Sequence, residues 1–142
     1  MLKFSILFWL GILPSALAAE TTLDDIGDTY VEYRENFSPG TGQGVIVVVS
    51  PEDIGLMIEF ELGAQPTITK IDINAGGYKR AHGVISDAIT DLPSREPTFC
   101  DDYGADIIQI ITEGERVAHL SDGCPNGRVS EIINAVALAV RR

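Results

Sequence analysis

The chain is poor in basic residues, cysteine and aromatic side chains. Against 21 acidic residues it has 10 lysines and arginines, and it has two cysteines and one tryptophan. A formal charge of −11 repels phosphate backbones and anionic lipid headgroups, so nucleic acid and membrane surfaces are poor partners. A basic protein or a cation is compatible with that charge, and so is acidity that merely keeps the chain soluble.

Several site motifs are missing too. Structural zinc sites usually carry a tight Cys-x2-4-Cys knuckle; His82, Cys100, His119 and Cys124 are the right ligand types without that spacing. There is no G-x-S-x-G elbow to present a nucleophilic serine. His119, Ser121 and Asp122 are the three residue types of a hydrolase triad. As near neighbours on one strand, however, His119 and Ser121 are about 7 Å apart at the backbone, too far for direct proton transfer. "PGTGQG" lacks the Gly-Lys-Ser/Thr ending of a phosphate loop, and no helix follows it. "CDDYGAD" and "LDDIGD" miss the D-x-[DN]-x-[DN]-G spacing of a calcium loop. Weak calcium binding at Asp101, Asp102 and Asp106 stays open as an expectation, and no cofactor is implied.

What is present begins with a leader. Lys3, the apolar run Phe4 to Leu13 and the small-x-small pattern of Ala16, Leu17 and Ala18 describe a signal peptide over residues 1–18, cleaved after Ala18 or Ala19. Pro14 and Ser15 end the run short of the roughly 20 residues that cross a bilayer. No cysteine sits at the cut to take a lipid anchor, and no later stretch is apolar enough to span. The expected product is one globular domain, residues 20–142, in the periplasm or outside the cell. Losing residues 1–18 leaves 124 of 142 residues and removes Lys3, which takes the charge from −11 to −12. That is an ordinary size for a single core.

Within the domain the hydrophobic period changes twice. Residues 21–37 fit a helical stripe and an alternating strand about equally, and an irregular start followed by a strand from Tyr30 to Asn36 reconciles the two. After the glycine-rich loop Ser38 to Gly44, "GVIVVVS" is a β-branched run apolar on both faces, as central strands are. "LMIEFEL" reads as a strand with Ile58, Phe60 and Leu62 inward and Glu59 and Glu61 outward, and "TITKIDIN" as a fourth strand. Val84, Ile85, Ala88, Ile89 and Leu92 then share one helical face that Pro93 stops. "ADIIQIIT" and "RVAHLS" form a hairpin about Glu113 and Gly114, with His119 opposite Ile108. Val129, Ile132, Ile133, Val136 and Val140 stripe a last helix, with Asn126 as candidate N-cap. The order ββββαββα, with two one-sided helices, predicts an α+β fold: an antiparallel sheet carrying both helices on one face.

With Glu113 and Gly114 at the turn, Cys100 and Cys124 flank the hairpin base within about a residue and a half of register. An even cysteine count in an exported chain predicts a disulfide, and two cysteines allow one pairing. Closing that segment stabilises the fold by about 3 kcal/mol in the chain-entropy description. Beside it, Asp101, Asp102, Asp106, His119 and Asp122 are the candidate ligand or cation contacts, while paired loop aspartates also serve as plain turn formers. Gly40, Thr41, Gly42, Gln43 and Gly44 are a candidate partner loop, since binding residues often sit on loops. Asn36-Phe37-Ser38 is a glycosylation sequon, meaningful in a eukaryotic host. His82, at the start of the first helix, is expected to be exposed.

With no catalytic constellation in view, these features predict a small exported, non-catalytic binding module, an inhibitor of or accessory to another extracytoplasmic protein. The alternatives are a structural subunit of an envelope assembly and, behind it, a small enzyme or metal-dependent site at the hairpin base.

Overall fold

The computed structural model describes residues 22–38, 40–91 and 99–141. The leader and the helix stop at Pro93 fall outside them. A short 3-10 turn, Leu23–Asp25, is followed by β1 (Tyr30–Ser38), β2 (Gln43–Val49), β3 (Gly55–Phe60), β4 (Thr67–Ile71), α1 (Gly77–Asp91), β5 (Ala105–Thr112), β6 (Glu115–Asp122) and α2 (Arg128–Arg141). This is the expected order ββββαββα, and the fold is α+β. The first four strands form a meander, and the β5–β6 hairpin adds alongside β1, so the sheet runs β4-β3-β2-β1-β5-β6. Every neighbouring pair is antiparallel. β1 and β2 are therefore central, as the doubly apolar run of β2 required.

Both helices cover one face of the sheet. Val31, Tyr33, Val47, Val49, Ile108 and Ile110 meet Ala81 and Ile85 of α1 and Val129, Ile133, Val136 and Val140 of α2 in one buried cluster. Among the described residues no helix covers the opposite face, where Ile46, Val48, Leu56 and Ile58 pack with Ile26 and the partly buried Phe37 and Phe60. β3 therefore differs from its expected reading. Leu56 and Ile58 join this second cluster, Met57 is the residue that packs toward the helices, and Leu62 lies beyond the strand and is exposed. Alternation separated the two sets of residues correctly, but it could not say which face the helices would take.

The ends of both helices are satisfied by distant residues. Asp53, in the turn after β2, accepts hydrogen bonds from the backbone N–H groups of Gly76 (2.6 Å) and Tyr78 (2.8 Å), which caps the start of α1 with a carboxylate. At the same end of the layer, Asn74 and Arg80 donate to the last carbonyls of α2: Asn74 N to Val140 O at 3.0 Å, Asn74 Nδ2 to Arg141 O at 2.6 Å, and Arg80 Nε to Ala139 O at 2.8 Å. The helices thus lie antiparallel, and Gly77 lets them close: a Cβ there would come within 2.5 Å of the Ile73 Cγ2 and 3.0 Å of the Val140 carbonyl oxygen. Asn126 does not cap α2. Its φ of 55° turns the chain in the left-handed region, and Gly127 occupies the cap position, where its carbonyl accepts from Glu131 N at 3.3 Å.

The register of the last hairpin also departs from a plain ladder. Thr112 pairs with Glu115 and Ile111 with Arg116, but Ile110 pairs with Ala118, so a bulge inserts Val117. One residue of slip places His119 opposite Gln109 instead of Ile108. The connection between β1 and β2 is tighter than its composition suggested. β1 runs to Ser38, Gln43 and Gly44 already belong to β2, and Gly42 N donates to Ser38 O at 2.9 Å. At Gly44, with φ 121°, a Cβ would lie 2.7 Å from the Phe37 Cα, so the bulged end of β1 requires glycine there.

Candidate functional site

The base of the β5–β6 hairpin carries the disulfide. Cys100 and Cys124 are joined with their Cα atoms 4.9 Å apart. Cys100 N donates to Gly123 O at 2.9 Å, and Phe99 bridges Gly123 in parallel, so the chain ahead of β5 is laid beside the end of β6. Asp101 and Asp102 make the exposed turn that follows, with Asp102 at φ 60°. Asp106 is different: it is only 2% exposed, and its Oδ1 accepts from Tyr103 Oη at 2.8 Å and from the Asn36 backbone N–H at 3.0 Å. Asn36 returns the tie, its Oδ1 accepting from Gly104 N at 2.8 Å. This network locks the start of β5 to the bulged end of β1. Burial, then the hydrogen bond to Asp106 and the surrounding carboxylates, push the Tyr103 phenol well above its ordinary range. Burial and the Asp106 charge likewise raise the Glu35 carboxyl.

Asp122 stands opposite Asp106 across the hairpin, on the helix-bearing side. Its Oδ2 reaches the position a Cβ of Gly127 would occupy, so a carboxylate sits at the electropositive start of α2. His119 and Ser121 point to the other face, so His119, Ser121 and Asp122 do not converge. Asp106 faces away from His119 for the same reason. Among the described residues, no group of three or more His, Cys, Asp or Glu is placed to hold a metal ion. His82 lies in the second turn of α1, partly buried, with Nδ1 3.4 Å from Ser86 Oγ and its ring 5.9 Å from that of Tyr78. Gly40 to Gly42 form the tight turn described above and project at one sheet end.

The helix-free face holds a polar array of which the expected site contained only His119. Adjacent positions on β1, β5 and β6 align Glu32, Gln109 and His119 in one row, with Arg34 one step along β1. Glu32 is 5% exposed and Gln109 7%, although both lie on the side without a helix. Glu32 Oε1 accepts from Gln109 Nε2 at 2.8 Å and from Arg34 Nε, forming an ion pair with Arg34. The Arg34 guanidinium carbon also lies 4.9 Å from the centre of the Phe37 ring, which itself meets Phe60 edge-on at 5.6 Å. The arginine is thereby held on two sides. Burial first, then the charges of Arg116 and Arg34, lower the His119 pKa from its ordinary value. Arg34 and Arg116 thus place positive charge around His119 on a strongly acidic chain.

Sequence patterning missed Glu32, Arg34 and Gln109, though one signal was available. Gln109 interrupts the apolar run "ADIIQIIT" at mid-strand, where a buried polar residue requires a partner. A separate recess, of about 450 Å³, lies where the 3-10 turn meets the β2–β3 turn and is lined by Asp24, Asp25, Asp28 and Glu52. No family model matches this chain, and no curated protein is similar to it.

Proposed function

We propose that the protein is an exported, non-catalytic binding module that receives an acidic segment of another extracytoplasmic protein on the helix-free face of its sheet. The observation that carries this reading is the restrained Arg34. With Glu32 on one side and the Phe37 ring on the other, its guanidinium is already ordered before a partner arrives, so less side-chain entropy is lost on binding. Arg116 adds positive charge on the same face, and the neutral His119 ring offers a hydrogen-bond donor, so a carboxylate-bearing segment gains there over the rest of the acidic surface. Phe37 and Phe60 supply neighbouring apolar area, the composition that interface centres favour.

Export agrees with the leader pattern, with the disulfide, and with the finding that no helix among the described residues is long and apolar enough to cross a membrane. The test is affinity capture from an extracytoplasmic extract with the oxidised protein as bait, compared with Arg34→Gln and Arg116→Glu baits. A partner that saturates the native bait and is lost from both variants supports the reading. Failure to recover a saturable partner, or one held equally by all three baits, overturns it.

A further inference from the structure

The outer surface of the helix layer has a glycine that the single chain does not use. Gly83 sits in the middle of α1, where glycine is unfavourable relative to alanine, and a Cβ built there would meet nothing within 4 Å. By contrast, Gly77 on the same helix is required by its approach to α2. Gly83 lines an open groove of about 510 Å³ between the helices, together with Val84, Ala135 and Ala139. Leu138, 56% exposed, stands beside it as an unburied apolar side chain.

The charges along this surface are ordered. Lys79 and Asp87 lie four residues to either side of Gly83, about one helical turn each way, and among the described residues neither is in an ion pair. On α1 the order opposes the helix dipole, with Lys79 and Arg80 near the start and Asp91 at the end. α2 runs the other way and follows its dipole, with Glu131 in its first turn and Arg141 in its last. Because the helices are antiparallel, both orders add. The helix residues thus make one end of the layer positive and the other negative, apart from Arg128, while the Asp53 carboxylate of the β2–β3 turn caps the positive end.

We infer that two copies of the chain pack through the outer faces of α1 and α2 about a twofold axis at Gly83. Antiparallel contact of α1 with its symmetry mate brings Lys79 against the partner's Asp87, and Asp87 against the partner's Lys79. The bare Gly83 backbone permits close approach at the crossing, and Leu138 of each copy is offered to the other's groove. A surface that carries both knob and groove, with opposite charges at symmetric positions, is self-complementary in the way a twofold interface requires. Net charge does not forbid it, since repulsion from groups beyond about 8 Å is largely screened at physiological ionic strength. A 15-residue helix spans about 22 Å, so the contact is at the small end of specific interfaces and the dimer is expected in the micromolar range, about 1–50 µM. Both helix-free faces then point outward, so the dimer is bivalent for any ligand those faces bind. The pairing itself does not depend on what that ligand is.

Sedimentation equilibrium of the oxidised protein at about 0.15 M salt tests the inference. Twice the monomer mass is expected at high concentration. Lys79→Glu and Asp87→Lys should each weaken dimerisation about tenfold or more, and the double variant Lys79→Glu/Asp87→Lys should recover it to within about threefold, because the paired charges have only exchanged places. Gly83→Ala should raise the monomer's thermal midpoint while weakening the dimer, a divergence that a purely structural role cannot give. A native protein that stays monomeric to several hundred micromolar, or a double variant that fails to recover, overturns the inference. Circular dichroism checks folding, and if a charge variant does not fold, Gly83→Ala decides alone.

Discussion

Replacing both cysteines with alanine isolates what the Cys100–Cys124 bridge contributes. The bridge closes a segment of sequence separation 24, which in the chain-entropy description removes about 3 kcal/mol of denatured-state freedom. Cys100 is exposed and Cys124 only partly buried, so deleting the sulfurs opens little cavity and the loss should be close to the entropic value. Against a total stability of about 5–15 kcal/mol, the variant should still fold. The β5–β6 ladder, which runs from Asp106–Asp122 to Thr112–Glu115, holds the hairpin without it. In urea unfolding, with a slope of about 1.5 kcal/mol per molar, the midpoint should fall by about 2 M. The slope itself should rise, because the uncrosslinked chain exposes more surface when unfolded. Reduced native protein should match the variant. A loss below about 1 kcal/mol, with reduced native protein equally unaffected, would refute the reasoning, since the denatured chain would then already hold the two segments together.

Two further outcomes follow from the sites. Tyr103→Phe removes one donor from the buried Asp106 and should cost about 1–2 kcal/mol, while Asp106→Ala also strands the Asn36 N–H and should cost more; urea midpoints that reverse this order would disprove the network. The folded chain lowers the His119 pKa below its ordinary value of 6.5, so between the two values the unfolded chain binds the extra proton and stability rises with pH. Thermal midpoints should therefore decline as pH falls through 6.5, and His119→Gln should flatten that decline measured against the native protein.

How much was legible beforehand depended on how local the cause was. The β-branched run Val45 to Val49 announced a central strand, because both of its faces are apolar. The apolar stripes of α1 and α2 identified the faces that pack on the sheet. Cysteine count and hairpin spacing together indicated the disulfide. Features set by pairing between distant segments were hidden. Asp53 capping α1, Asn74 and Arg80 capping the end of α2, and Asn36 gripping Gly104 each join residues far apart in the chain, and no period or motif records such a pairing. One bulge at Val117 was enough to move His119 from Ile108 to Gln109, since a strand's register changes by a whole residue at each insertion.

The candidate site divides along the same line. Asp101, Asp102, Asp106, His119 and Asp122 lie close in sequence about one hairpin, but alternation of side chains across the sheet sends Asp106 and Asp122 to the helix side and His119 to the other. Glu32 meets Gln109 only because β5 returns beside β1 after three strands and a helix have intervened. Composition and period alone determined the classes of element, their order, the apolar stripes of the helices and the crosslink, because these depend on where apolar and sulfur-bearing side chains recur along the chain. Which polar groups became neighbours was decided by the tertiary structure, because strand order and register set those distances and neither is written in any local stretch of residues.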